Sequence, residues 1–170
     1  MSFFPKWIRD IFRSPSHFES LGFLRSVPLL HGLSRQQLGR LLMAMQKRRY
    51  TIGEVLFEEG QLGKAVYIVR SGKVELTRKL SSDAVRRLAI IGPGQMFGEM
   101  ALLEKIERTA TARVVEEGDI YLLYTATLDT FIHQNPLIGV KLLRSIAVLL
   151  SSLLRRANQE LDQHNLKTVS

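Results

Sequence analysis

The chain has 170 residues, no cysteine and a formal net charge of +8. That length suffices for one domain with a full core, and the missing cysteine excludes disulfides and thiolate metal sites. With 45% hydrophobic and 24% charged residues the composition is that of a soluble globular protein, and no run approaches the roughly 18 uninterrupted apolar residues of a membrane span.

The charge is uneven. Residues 1–95 hold 16 Lys+Arg against 7 Asp+Glu, and residues 96–170 hold 8 against 9. This reads either as a solvated basic surface or as attraction to an anionic ligand, lipid or nucleic acid.

Residues 1–16 read as an amphipathic N-terminal extension. Phe4, Trp7, Ile8, Ile11 and Phe12 share one helical face, opposite Lys6, Arg9, Asp10 and Arg13. Pro5, Lys6, Arg9 and Asp10 break the apolar run, which argues against a signal peptide. Aromatic and basic residues together fit packing on the domain, docking to a partner, or contact with a membrane surface. Residues 17–135 read as the main domain. A short helix spans His17–Ser26 and ends at Val27-Pro28. After a turn at Leu29–Leu33, Ser34 caps a helix expected to run through Arg49, with Leu38, Leu41, Leu42 and Met45 on its apolar face. Lys47, Arg48 and Arg49 would then suit the negative end of its dipole.

From Tyr50 the pattern changes to short strands with turns between them. Strands are expected at Val55–Glu59, Ala65–Arg70, Lys73–Lys79, Ala84–Ile91, Ala112–Val115 and Asp119–Tyr124. Strands at this pitch with no helices between them argue for an antiparallel roll or barrel. A short helix begins at Thr127 and is interrupted at Asn135-Pro136. Residues 136–170 read as a long helix from Leu137 to about Leu161, followed by a frayed polar tail. The first part of this helix is apolar on nearly every side, so it needs more than one neighbour. Beyond that only Leu150, Leu154, Ala157 and Leu161 remain apolar, at the coiled-coil spacing of 4, 3 and 4. That seam points to a homodimer helix, or to a helix folded back on its own roll.

The chemistry concentrates between Ile91 and Ala112. Gly92, Gly94 and Gly98 allow a sharp turn and close backbone approach. Met100–Leu103 fits one helical turn whose free N–H groups would face that turn. Arg108 follows, suited to bidentate phosphate pairing, and Glu99 is a carboxylate that a sugar hydroxyl would satisfy. The residues by themselves describe a sugar-phosphate site. The order Phe97-Gly98-Glu99-Met100-Ala101-Leu102-Leu103, four residues, then Arg108-Thr109-Ala110-Thr111 resembles the phosphate-binding cassette of cyclic nucleotide-binding domains. Protein kinase A regulatory subunits, cyclic-nucleotide-gated channels and the catabolite activator protein carry such a cassette. The entrance phrase Pro28-Leu29-Leu30 with Gly32-Leu33-Ser34, and the stretch Gly53-Glu54-Val55-Leu56-Phe57-Glu58-Glu59-Gly60, extend the resemblance over about residues 20–155.

The resemblance implies a mainly β fold with flanking helices: an antiparallel, jelly-roll-like β-roll with N-terminal helices and a long C-terminal helix. It also implies roles. Arg108 would pair with the cyclic phosphate, the backbone N–H groups of Ala101 and of Thr109 or Ala110 would add bonds, and Glu99 would accept from the ribose 2′-hydroxyl. Gly98 would let the sugar lie close, with Met100 beside it. Leu76, Ala89, Ile91 and Phe97 would wall the base, and Leu149 and Leu153 fall where channel-type members place lid residues. The alternative reading is an internal Arg108–Glu99 ion pair in a closed turn. Thr109 leaves cyclic AMP and cyclic GMP both open, with cyclic AMP the preferred ligand. Lys105 and Glu107 stand where many relatives have glycine and proline.

The expected activity is that of a cytoplasmic cyclic-nucleotide sensor that signals through its C-terminal helix to an unidentified protein partner. It would use no metal and no cofactor, and a nucleotide-free dimerising adaptor is the alternative. An enzyme is disfavoured: G-x-S-x-G, H-E-x-x-H and a P-loop are missing, and His17, His31, His133 and His164 lack ligand spacing and read as surface residues. Gly92-x-Gly94-x-x-x-Gly98 misses the dinucleotide fingerprint by one residue. No helix-turn-helix is expected after the long helix, so direct DNA binding is not expected.

Overall fold

A computed structural model of the chain describes residues 15–81, 84–102 and 106–168. The amphipathic segment read at the N-terminus lies outside the described residues, apart from its last two positions. Helix α1 spans Pro15–Ser26; proline suits a first turn because its missing N–H would have no partner there. A 3₁₀ turn, Pro28–Leu30, leads to α2, Arg35–Ala44. Ser34 and Gln37 close a reciprocal capping box at the start of α2, satisfying two otherwise orphaned N–H donors.

Eight strands follow: β1 Gln46–Tyr50, β2 Val55–Phe57, β3 Ala65–Val69, β4 Lys73–Lys79, β5 Val85–Ile91, β6 Met96–Phe97, β7 Thr111–Glu116 and β8 Gly118–Tyr124. They form two four-stranded antiparallel sheets, in the orders β1-β8-β3-β6 and β2-β7-β4-β5. The fold is therefore the expected antiparallel β-roll with flanking helices. Helices α3, Thr125–Gln134, and α4, Pro136–Thr168, complete it.

Two apolar clusters meet at β3, whose five residues are all buried. Val66 and Ile68 face the helices, with Leu24, Leu38, Leu41, Leu142 and Ile146. Ala65, Tyr67 and Val69 face the roll interior, with Phe57, Val74, Phe97 and Ala112. A strand buried on both faces loses the polar alternation of a half-exposed one, which is why Ala65–Val69 is continuously apolar.

Three expectations are corrected. The helix read through Arg49 stops at Ala44, because Met45 is extended (φ −94, ψ 149) and Gln46–Tyr50 pairs with β8. Lys47, Arg48 and Arg49 do not sit at a helix end; they meet Asp119 at 3.2 Å, Glu54 at 3.1 Å and Glu117 at 2.6 Å. The strand partner β8 and two of those carboxylates, Asp119 and Glu117, come from distant residues, so no local pattern announced the strand. The tail read as frayed from Asp162 continues α4 to Thr168, and no glycine or proline interrupts Asp162–Thr168. His17, read as a surface residue, is buried on α1. It holds the i, i+4, i+7 face with Leu21 and Leu24.

Helix α4 buries Ile138, Leu142 and Ile146 against the roll and the entrance helices. It leaves Val140, Leu143 and Leu154 exposed, at 64%, 53% and 63%. Val140, Leu143, Ala147, Leu150 and Leu154 follow one another by 3, 4, 3 and 4 residues, extending the predicted seam toward the helix start. The remaining seam residues, Ala157 and Leu161, have side chains outside the described residues.

Candidate functional site

The site is built where the two sheets meet. Strand β6 pairs with β3, setting Phe97 opposite Tyr67. The chain then turns at Gly98, with φ +75, a left-handed conformation that a side chain makes costly. A Cβ at Gly98 would also stand 2.6 Å from Nη1 of Arg108. A 3₁₀ turn, Glu99–Leu102, follows. Arg108 arrives from the other direction, held by its main chain: its N–H donates to the Gln61 carbonyl (2.7 Å), and its carbonyl accepts from Gly60 (2.9 Å).

The Arg108 side chain is only 7% exposed. Its Nη2 donates to the Ala65 carbonyl at 2.6 Å, and its Nη1 to the Gly98 carbonyl at 3.2 Å. Its guanidinium lies 4.1 Å from the Phe57 ring centroid and 5.7 Å from that of Tyr67. Nε has no hydrogen-bond partner. Burial holds the guanidinium below its ordinary pKa, opposed by Tyr67 and by the field of Glu99. A buried cation with an unmet donor is costly unless an anion compensates it. Among the described residues no carboxylate lies within 4.0 Å of Arg108. The alternative of an Arg108–Glu99 ion pair is thus not the observed arrangement.

Around Arg108 opens a cavity of about 280 Å³, near the lower end of the roughly 300–1,000 Å³ of small-molecule sites. Its lining brings together the sequence-predicted Gly98, Glu99, Met100, Ala101, Arg108, Thr109 and Ala110, and adds Leu76, Ile91, Phe97 and Leu149. Ala89 is a correction: it pairs with Leu76 on edge strand β5 but does not line the cavity. Ile91, two residues along the same strand, does line it, and the methyl of Ala89 reaches less far than that side chain. Leu153 has its side chain outside the described residues. Phe57, Met96, Ile106 and Glu107 line the cavity without having been foreseen as site residues. For Phe57 the available signal was strand phase: it is the inward residue of a strand that pairs with β7 just after the cassette.

The backbone donors divide. The Ala101 N–H already reaches the Gly98 carbonyl, at 3.3 Å. The N–H groups of Thr109 and Ala110 have no main-chain acceptor among the described residues, and both residues line the cavity. Arg78 Nε donates to the Thr109 carbonyl at 2.9 Å, fixing this turn. Among the described residues no group of three or more His, Cys, Asp or Glu is arranged to hold a metal. Taken together, the cavity offers a buried cation, backbone donors without a main-chain acceptor beside it, a carboxylate at its edge and an apolar wall. That set suits a small anion carrying a hydroxyl and an apolar ring.

The family model described as "Cyclic nucleotide-binding domain" matches residues 47–135. The cyclic AMP receptor protein of Thermus thermophilus is 39% identical over 139 residues, covering 82% of this chain and 62% of that protein. The crystal structure of the Thermus thermophilus catabolite activator protein superposes with a TM-score of 0.71 at 39% identity, covering 79% of this chain and 62% of that one. The regulatory domain of Toxoplasma gondii PKA, crystallised with cAMP, superposes at 0.62 with 31% identity over 68% of this chain and 44% of that one. The chain spans about three fifths of the two Thermus proteins.

Proposed function

The chain belongs to the cyclic nucleotide-binding domain family, and on that premise we propose that it is a cyclic-nucleotide sensor, with cyclic AMP the preferred ligand over cyclic GMP. The observation that carries this reading is Arg108: buried, charged, facing the cavity, and holding an N–H with no acceptor. A cyclic phosphate supplies the missing acceptor and the missing charge in one group. The Thr109 and Ala110 N–H groups add donors to the same phosphate. Glu99 accepts from the ribose 2′-hydroxyl, and Gly98 leaves room for the sugar. Leu76, Ile91 and Phe97 wall the base, with Leu149 bringing α4 to its edge.

Signalling runs through α4: the segment 136–170 serves as lid, dimer helix and tail on the domain of residues 17–135. Leu149 reaches the ligand cavity, while Val140, Leu143 and Leu154 present an exposed apolar seam that a second copy would cover. A ligand that binds better when Leu149 closes on the base shifts the position of α4 by that difference in affinity. The protein acts as a regulator without catalysis or cofactor, placed in the cytoplasm. Among the described residues no helix is long and apolar enough to cross a membrane.

Calorimetric titration with cyclic AMP, then cyclic GMP, with 5′-AMP as control, tests the reading. Micromolar or tighter binding of one cyclic form is expected. Arg108→Ala removes the buried cation and should weaken it by about 2–5 kcal/mol. No heat from either cyclic nucleotide would move the protein to the second reading, a dimerising adaptor of the same fold, for which the exposed α4 seam is the supporting observation.

A further inference from the structure

No described carboxylate neutralises Arg108 within 4.0 Å, yet Glu99 lines the same cavity. What lies against the guanidinium is an aromatic shelf. The Phe57 ring is 4.1 Å from its carbon. Phe57 packs on Tyr67 at 5.5 Å and on Phe97 at 5.9 Å, and Tyr67 and Phe97 stack at 5.1 Å and 13°. The three rings come from β2, β3 and β6, so the shelf also ties the two sheets together.

The difference between a ring and a carboxylate decides what the cavity can bind. A carboxylate against Arg108 would neutralise it, and an incoming phosphate would have to displace that partner. The negative face of a ring attracts a guanidinium, more strongly when both are dry, but leaves its full charge and its in-plane N–H donors available. We propose that Phe57 is a positioning residue for the ligand site: its ring face holds Arg108 charged, oriented and away from Glu99, ready for a phosphate. This rests on the cyclic-nucleotide reading above and adds to it a residue outside the cassette. Without the ring face, the guanidinium swings toward Glu99, and the ligand must break that contact before it binds.

Phe57 lies in the core, so truncation alone mixes electrostatics with packing. Successive fluorination separates them, because it drains the ring's negative face while leaving its shape nearly unchanged. In the full chain, 4-fluoro-, 3,5-difluoro- and 3,4,5-trifluorophenylalanine at position 57 are compared by cyclic AMP titration and by thermal melting. Affinity should fall stepwise with each fluorine, by roughly tenfold across the series, with melting temperatures nearly constant. Phe57→Leu should lose at least as much, and Phe57→Tyr should restore binding. In the ligand-free protein the Arg108 Nε–Hε resonance should move along the same series, a signal that does not depend on any ligand. A flat affinity series, alongside loss of binding in Arg108→Ala, overturns the role of Phe57 and leaves the sensor standing. Unchanged binding in Arg108→Ala removes the sensor reading itself, and the proposal with it.

Discussion

Replacing Gly98 by alanine perturbs the site in two separable ways. The first is backbone: alanine at φ +75 costs about 1–2 kcal/mol relative to glycine. The second is steric and local to the ligand. The new Cβ would stand 2.6 Å from Arg108 Nη1 and 3.4 Å from the Ala65 carbonyl, so the guanidinium must leave the carbonyls that hold it. A hydrogen bond to a charged group contributes about 1.5–3 kcal/mol, so displacing Arg108 should weaken cyclic AMP binding by about tenfold or more. Gly94 is the internal control. Its φ is +80, and a Cβ there would meet nothing within 4 Å. Gly94→Ala thus carries the same backbone cost without the collision. Both variants should melt lower, by about 2–8 °C for a chain of this size, but only Gly98→Ala should lose affinity in calorimetry. Equal affinities in the two variants would refute the claim that the Gly98 turn positions Arg108 for the ligand.

Glu99→Gln should weaken binding of cyclic AMP by about 1.5–3 kcal/mol but leave the affinity for its 2′-deoxy analogue nearly unchanged; similar losses for both ligands would take the ribose role from Glu99. Leu143→Glu and Leu154→Glu place charges in the exposed seam of α4 and should convert a dimer to a monomer in light scattering, each removing about 1.5–3 kcal/mol of apolar burial. A mass that stays dimeric would move the interface elsewhere. His17 is buried, and burial first, then the charge of Arg35, lowers its pKa from 6.5. The unfolded chain therefore takes up a proton at His17 before the folded one does, so its contribution to stability is present above pH 6.5 and is lost as pH falls through that value toward the lower folded pKa. Urea midpoints at pH 7.5 and 5.5 should differ more in the native protein than in His17→Gln. Identical differences would mean that other groups carry the pH dependence.

The local chain determined much of this protein. The glycines at 94 and 98, the acid at 99 and the arginine at 108 lie within one short stretch of chain. Their convergence could therefore be read before any folding was known. Strand signals likewise located β2 to β5, β7 and β8, because alternation in β4, a β-branched and aromatic run in β3 and the turn residues between strands are properties of each segment by itself. Tertiary structure decided what depended on partners far along the chain. Gln46–Tyr50 became a strand through β8 and the carboxylates of Asp119 and Glu117, although its cations looked like a helix end. Ala89 left the cavity wall while Ile91, in the same phase of the same strand, stayed in it, a distinction that alternation does not encode. Phe57 joined the site through a ring-to-cation contact across 51 residues, and contacts of that kind exist only once the two sheets close over each other. The sequence thus specified the reactive groups, and the packing of the roll specified which of them would stay charged, buried and unpaired.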